Sequence, residues 1–176
     1  MQRMFQKIFT NMRRNALSVI DEAKEAEGAT QVFGLFSGGD DSLAALRVAM
    51  EHPNFHAAVH CNTGVGVKAT REYVHDTCRD LRCPLIEYCA RDNVNSQNAP
   101  DPQVYEQLVL QQGFPGPTKY GHGKMYNRLK ERSIRRLFRE HVPNGQRAIL
   151  ASGCRSEEST RRMGTTTRIS REGRWV

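Results

Sequence analysis

Apolar positions recur at helical spacing from the start of the chain. Phe5, Ile8, Phe9, Met12, Ala16, Val19, Ile20 and Ala23 share one face, which predicts a helix over Met1–Ala26 within an N-terminal segment 1–27, stopped by Gly28. The run "QVFGLF" then reads as a buried strand. Asp41–Glu51 reads as a helix with Leu43, Leu46, Ala49 and Met50 turned inward, ended by Pro53. Phe55–Cys61 predicts a second strand, Asn62–Gly66 a turn, Val67–Leu81 a helix and Pro84–Tyr88 a third strand. Asp92–Pro102 is polar and rich in Asn and Pro, so it reads as a loop, and Gln103–Gln112 as a helix. Gly113–Gly123 holds four glycines and two prolines and reads as a flexible lid or linker. Lys124–His141 predicts a helix and Arg147–Gly153 a fourth strand. A helix from Ser156 and a hairpin around Arg171–Gly173 close the chain.

Strands alternating with helices predict an α/β fold, with a mostly parallel sheet, right-handed crossovers and helices on both faces. The length predicts one domain over residues 1–176. Ligands of such sheets bind beyond the carboxyl ends of the strands. That rule draws Ser37–Ser42, Cys61–Gly66 and Ser152–Ser159 to one edge.

Charge adds direction. The chain carries a net +7, but residues 113–176 hold 15 Lys/Arg against 5 Asp/Glu, while residues 1–112 hold 11 against 14. The C-terminal third is therefore the anion-seeking part, fit for a nucleotide, a sulfated substrate or nucleic acid. Nothing approaches the length of a membrane span, and the N-terminus lacks the unbroken apolar core of a signal peptide. A cytoplasmic protein is expected, with a mitochondrial presequence as the alternative for the basic amphipathic start. The five cysteines, at 61, 78, 83, 89 and 154, form no CxxC pair and match no zinc or iron–sulfur spacing, so reduced thiols are expected.

The stretch "GLFSGGDDSLAAL" carries the chemistry. Two glycines permit unusual backbone angles and close approach of a ligand. The amides before Ser42 open a helix, where unpaired N–H groups and the helix dipole attract phosphate. Ser37 and Ser42 add hydroxyls. Asp41 caps the helix or helps to hold Mg²⁺ between phosphates. Neither a Walker A motif nor a GxGxxG fingerprint is present.

Ser37-Gly38-Gly39-Asp40-Asp41-Ser42 resembles the SGGxDS pyrophosphate loop of the PP-loop ATP pyrophosphatases. "VHCNTGV", "YNRLKERSIRRL" and "GCRSEES" resemble the second-strand, LK-helix and GxRxxES segments of one branch, the phosphoadenosine phosphosulfate (PAPS) reductase-like family. The resemblance runs from about Val32 to Arg162, and it is nearest in feel to phage or mobile-element members. It implies an adenine nucleotide α-hydrolase-like fold with five strands. It implies a nucleotide site of Ser37, Gly38, Gly39, Asp40, Asp41, Ser42, Asn62, Thr63, Gly64, Gly153, Arg155, Glu158 and Ser159. It implies Lys130 and Arg155 as phosphate-side catalytic cations, and ATP or PAPS as substrate, with Mg²⁺ and without an iron–sulfur cluster.

Several residues carry alternatives. Asn62 stands where family members often have Asp, and Asn62-Thr63-Gly64 reads equally as a plain turn. Arg128, Arg132, Arg135 and Arg139 form a stripe that is either a solvated face or a nucleic-acid contact. His122 is a loop histidine that can close over phosphates or simply stay solvated. Asp40 repels phosphate unless Mg²⁺ bridges them, which favours Mg²⁺·ATP. The family's C-terminal Glu-Cys-Gly tail is absent from residues 1–176, and Cys154 beside Arg155 is the one cysteine nominated for chemistry. Three functions follow in order: Mg²⁺·ATP-dependent adenylation with pyrophosphate release, PAPS reduction or hydrolysis, and a non-catalytic nucleotide or nucleic-acid binding module. The acceptor stays open. The wide apolar face of the first helix suits a homodimer, a partner chain or packing on the sheet.

Overall fold

The computed structural model describes residues 2–95, 97, 99–115, 123 and 125–153. The helices are α1 (Gln2–Glu27), α2 (Asp40–Ala49), α3 (Lys68–Asp80), α4 (Tyr105–Gln112) and α5 (Arg132–His141). The strands are β1 (Ala29–Leu35), β2 (Phe55–Asn62), β3 (Leu85–Cys89) and β4 (Arg147–Ala151). The strands form one parallel sheet in the order β3-β2-β1-β4. This is the expected α/β class, with four of the five expected strands among the described residues. The helix from Ser156 and the hairpin around Arg171–Gly173 lie outside the described residues.

The chain groups into two compact units. One comprises residues up to Ala58 together with those from Gly145 onward; the other is Val59–Asn144. In the first unit, Gly28 ends α1 at φ 61°, a left-handed angle that glycine tolerates. Ile20 and Ala23 of α1 pack on Ala29, Val32, Ala49 and Ile149. Arg13 pairs with Glu51 at 2.9 Å, and His52 bonds Asp21 at 3.1 Å, which fixes the helix along its middle. Nearer its start, the same apolar face is uncovered: Phe5, Ile8, Phe9 and Met12 are 46–69% exposed. β1 and β4 run parallel with Val32 opposite Ile149 and Gly34 opposite Ala151. A Cβ on Gly34 would stand 2.6 Å from Leu46 Cδ1, so this glycine lets α2 lie close on the strand.

In the second unit, α3 buries Val74 and Cys78. Arg82, at φ 53°, turns the chain into β3. Ala90, Leu108 and Leu129 make a small core with Tyr105 and Met125. The helix expected over Lys124–His141 forms, but its segment Asn127–Glu131 is a π-helix. Within it, the Arg128 carbonyl accepts Asn93 Nδ2–H at 3.3 Å, and Asn93 is almost wholly buried. A side chain entering the ladder in this way accompanies the wider turn. Among the described residues, no helix is long and apolar enough to cross a membrane.

Candidate functional site

The first unit holds the glycine-rich loop between β1 and α2. Gly38 sits at φ 92°, where a side chain would be strained. Gly39 is the N-cap of α2 in an extended conformation, with no side-chain cap. The opening N–H groups of a helix lack intrahelical partners, and Gly39 has no side chain with which to cap them. Gly39 also has space around it. Among the described residues, a Cβ there would meet only Ser37 Oγ, at 3.9 Å, and its φ of −94° suits any residue. Neither packing against the described residues nor backbone angle therefore requires glycine at position 39.

The two serines have unequal roles. Ser42 is buried; its hydroxyl donates to the Gly39 carbonyl at 2.8 Å and accepts the Ser37 N–H at 3.2 Å. The Ser37 hydroxyl also lies 3.1 Å from it. Ser42 thus ties the loop shut from within. Asp40 is exposed and Asp41 half-buried in the first turn of α2. Two hard oxygen donors beside an anion cradle fit Mg²⁺, an ion usually bound by one or two carboxylates together with substrate phosphates. Among the described residues, no three His, Cys, Asp or Glu come together as a metal cluster.

Gly153 completes this unit's loop from the far side. A Cβ there would stand 2.0 Å from the Asp41 carbonyl oxygen and 2.9 Å from the Ser42 nitrogen. The chain leaving β4 therefore lies directly on the Asp41–Ser42 peptide, and only glycine allows it. Cys154, Arg155, Glu158 and Ser159 follow outside the described residues, as does His122.

The second unit holds the other expected residues. Asn62 ends β2 and its Oδ1 accepts the Gly64 N–H at 3.0 Å, a side-chain-closed turn. Gly64 takes φ 76°. The Asn62 amide donates to Glu87 Oε1 at 2.9 Å. Glu87 also accepts Arg71 Nε–H at 2.7 Å and Nη2–H at 2.8 Å, and it bonds His75 Nε2 at 2.8 Å. The Arg71 hydrogen bonds, helped by those of Asn62 and His75, hold the Glu87 carboxyl down at about 2 despite its burial. This cluster escaped the sequence reading. Its signals were an acid inside the apolar strand "LIEYC" and a basic pair, Arg71 and His75, four apart on α3.

Lys130 lies in the π-helical segment and is exposed. Its charge is close enough to lower the Cys61 thiol, although burial dominates and pushes that thiol up to about 11. Burial likewise raises Cys78 to about 11. Cys61, Cys78, Cys83 and Cys89 are free thiols, as expected.

The arginine stripe does not face solvent as a set. Arg128 donates to Gln103 Oε1 at 3.2 Å, Arg132 pairs with Asp101, Arg135 pairs with Glu131, and Arg139 donates to the Asn95 carbonyl at 3.2 Å. Three of the four therefore bind the loop over residues 93–103 against the helix. A stripe inferred from spacing alone could not reveal that its partners lie some 30 residues earlier in the chain.

A parallel α/β sheet with a glycine-opened helix start beyond one strand is an arrangement on which many proteins bind anions. The sequence matches the family profile of the phosphoadenosine phosphosulfate reductase domain over residues 31–175, and the chain belongs to that family. No curated protein matches it in sequence.

Proposed function

We propose that Ser37–Ser42 bind the phosphates of an adenine nucleotide and that the chain adenylates an acceptor with Mg²⁺·ATP. The acceptor's nucleophile attacks the α-phosphorus, the bond from that phosphorus to the α–β bridging oxygen breaks, and pyrophosphate leaves. The single observation behind this reading is the glycine-opened start of α2, with Gly39 as an extended N-cap that has open space around it among the described residues. Amides fixed at a helix start favour negative charge without rearranging as it develops on the departing phosphates. Asp40 and Asp41 would hold Mg²⁺, which supplies charge neutralisation on the phosphates. Lys130 and Arg155 are the proposed cations on the phosphate side, and Asn62, Thr63, Gly64, Glu158 and Ser159 complete the nucleotide contacts.

PAPS reduction or hydrolysis is the second reading, favoured by the family's own description. Reduction needs a thiolate, and Cys61 and Cys78, both pushed up to about 11 by burial, supply almost none near neutral pH. Cys154 is the cysteine proposed for that step. Nucleic-acid binding through Arg128, Arg132, Arg135 and Arg139 draws little support from a stripe engaged within the protein.

Calorimetric titration of one preparation with Mg²⁺·ATP and, separately, with PAPS tests the choice. Tighter Mg²⁺·ATP binding is expected. Tighter PAPS binding, followed by loss of turnover in Cys154→Ser, would transfer the assignment to the second reading. We also propose a second copy or partner chain as the cover of the Phe5–Met12 face. Sedimentation of the chain as a monomer alone and in lysate would remove that proposal.

A further inference from the structure

We infer that Glu87 is the positioning residue of the Asn62–Gly64 turn, its carboxylate being the hub through which β3 and α3 hold the end of β2. The inference rests on the reading above only in its last clause: the turn so held is a nucleotide contact.

A carboxylate offers about four lone-pair directions. Glu87 uses four: Oε1 takes Asn62 Nδ2–H and Arg71 Nε–H, and Oε2 takes Arg71 Nη2–H and faces His75 Nε2, all at 2.7–2.9 Å. Its side chain is 15% exposed, while Arg71 and His75 are far more open. The acid is thus the inner member, with the cations above it. This order sets the orientation of Asn62. The donor end of the amide must face the carboxylate, so the acceptor end faces the Gly64 N–H at 3.0 Å. Gly64, at φ 76°, then completes the turn. An Asp at position 62 would keep the bond to Gly64 but set a second carboxylate against Glu87. Like charges that close cannot both ionise easily. Asn62 and Glu87 are therefore one unit: the amide is required because the acid is there.

The test is amide hydrogen exchange of the full chain, read at Gly64, with the Leu43 amide as internal control. Leu43 N–H bonds the Gly39 carbonyl at 2.9 Å in the other unit. Glu87→Ala is expected to speed Gly64 exchange about tenfold or more, the loss that follows from removing a charged hydrogen-bond partner, with Leu43 unchanged. Asn62→Asp is expected to do the same. Asn62→Asp combined with Glu87→Gln restores a donor–acceptor pair with its polarity reversed, and Gly64 protection should return. Should Glu87→Ala not fold, Glu87→Gln and the double variant decide. Unchanged Gly64 exchange in the folded Glu87 variants, or no rescue in the double variant, overturns the positioning role. ATP affinity measured beside it separates the last clause. Loosened Gly64 with about tenfold weaker ATP supports the whole inference. Loosened Gly64 with unchanged ATP affinity keeps Glu87 as hub but removes the turn from the nucleotide site.

Discussion

The loop after β1 and the turn after β2 differ in how they spend their polar groups. In the turn, the Asn62 amide is used at both ends, and Glu87 accepts from three side chains. In the loop, the bonds are made by Ser37, Ser42 and the Gly39 carbonyl, and the helix start keeps no side-chain cap. The turn is held through its side chains; the loop closes on its own serines and backbone. Glycine marks the same contrast. Gly153 is fixed by the protein's own backbone, whereas Gly39 meets nothing among the described residues that requires it.

Substitutions can break this comparison. The largest effect is expected at Gly153. Gly153→Ala puts a methyl into the Asp41 carbonyl at 2.0 Å, so the loop or the end of β4 must move. Thermal unfolding should show a loss of about 3 kcal/mol or more, with nucleotide binding abolished. Next is Ser42→Ala, which removes the bonding centre of the loop from a buried site. It should cost about 1–3 kcal/mol in denaturant unfolding. Gly39→Ala is the sharpening case. It should leave stability within about 0.5 kcal/mol, since it touches little, yet weaken nucleotide binding about tenfold or more in calorimetry.

Acid titration probes the turn. Glu87 has its carboxyl lowered to about 2 from an ordinary 4.5. Its stabilisation is therefore complete above about 4.5 and lost as pH falls toward about 2. Wild type should lose stability across that window, and Glu87→Gln should flatten the loss. The smallest effect is expected at Arg139, whose contact with the Asn95 carbonyl is exposed. Arg139→Ala should change stability by less than about 1 kcal/mol.

Local signals carried much of this fold. The apolar run 31–36, ended by Gly-Gly-Asp-Asp-Ser, announced both a buried strand and the helix that follows. The period of α1 was legible throughout, but not that its Phe5–Met12 half would be uncovered, because periodicity gives a face and not its cover. The internal bonds of Ser42 were not legible, because hydroxyls beside phosphate loops look alike in one dimension. Glu87 was invisible as a hub, since its four bonds come from three residues 12–25 positions away. The π-helical turn at Lys130 has no one-dimensional mark either. It coincides with a contact from Asn93, far back in the chain.

The most direct test is a paired calorimetric titration of wild type and Gly39→Ala with Mg²⁺·ATP, each checked by thermal unfolding. The account predicts binding to the wild type and about tenfold or greater weakening in a variant that melts normally. Equal affinity in the two proteins, or no binding to the wild type, would contradict the claim that the open space at Gly39 is where phosphate enters.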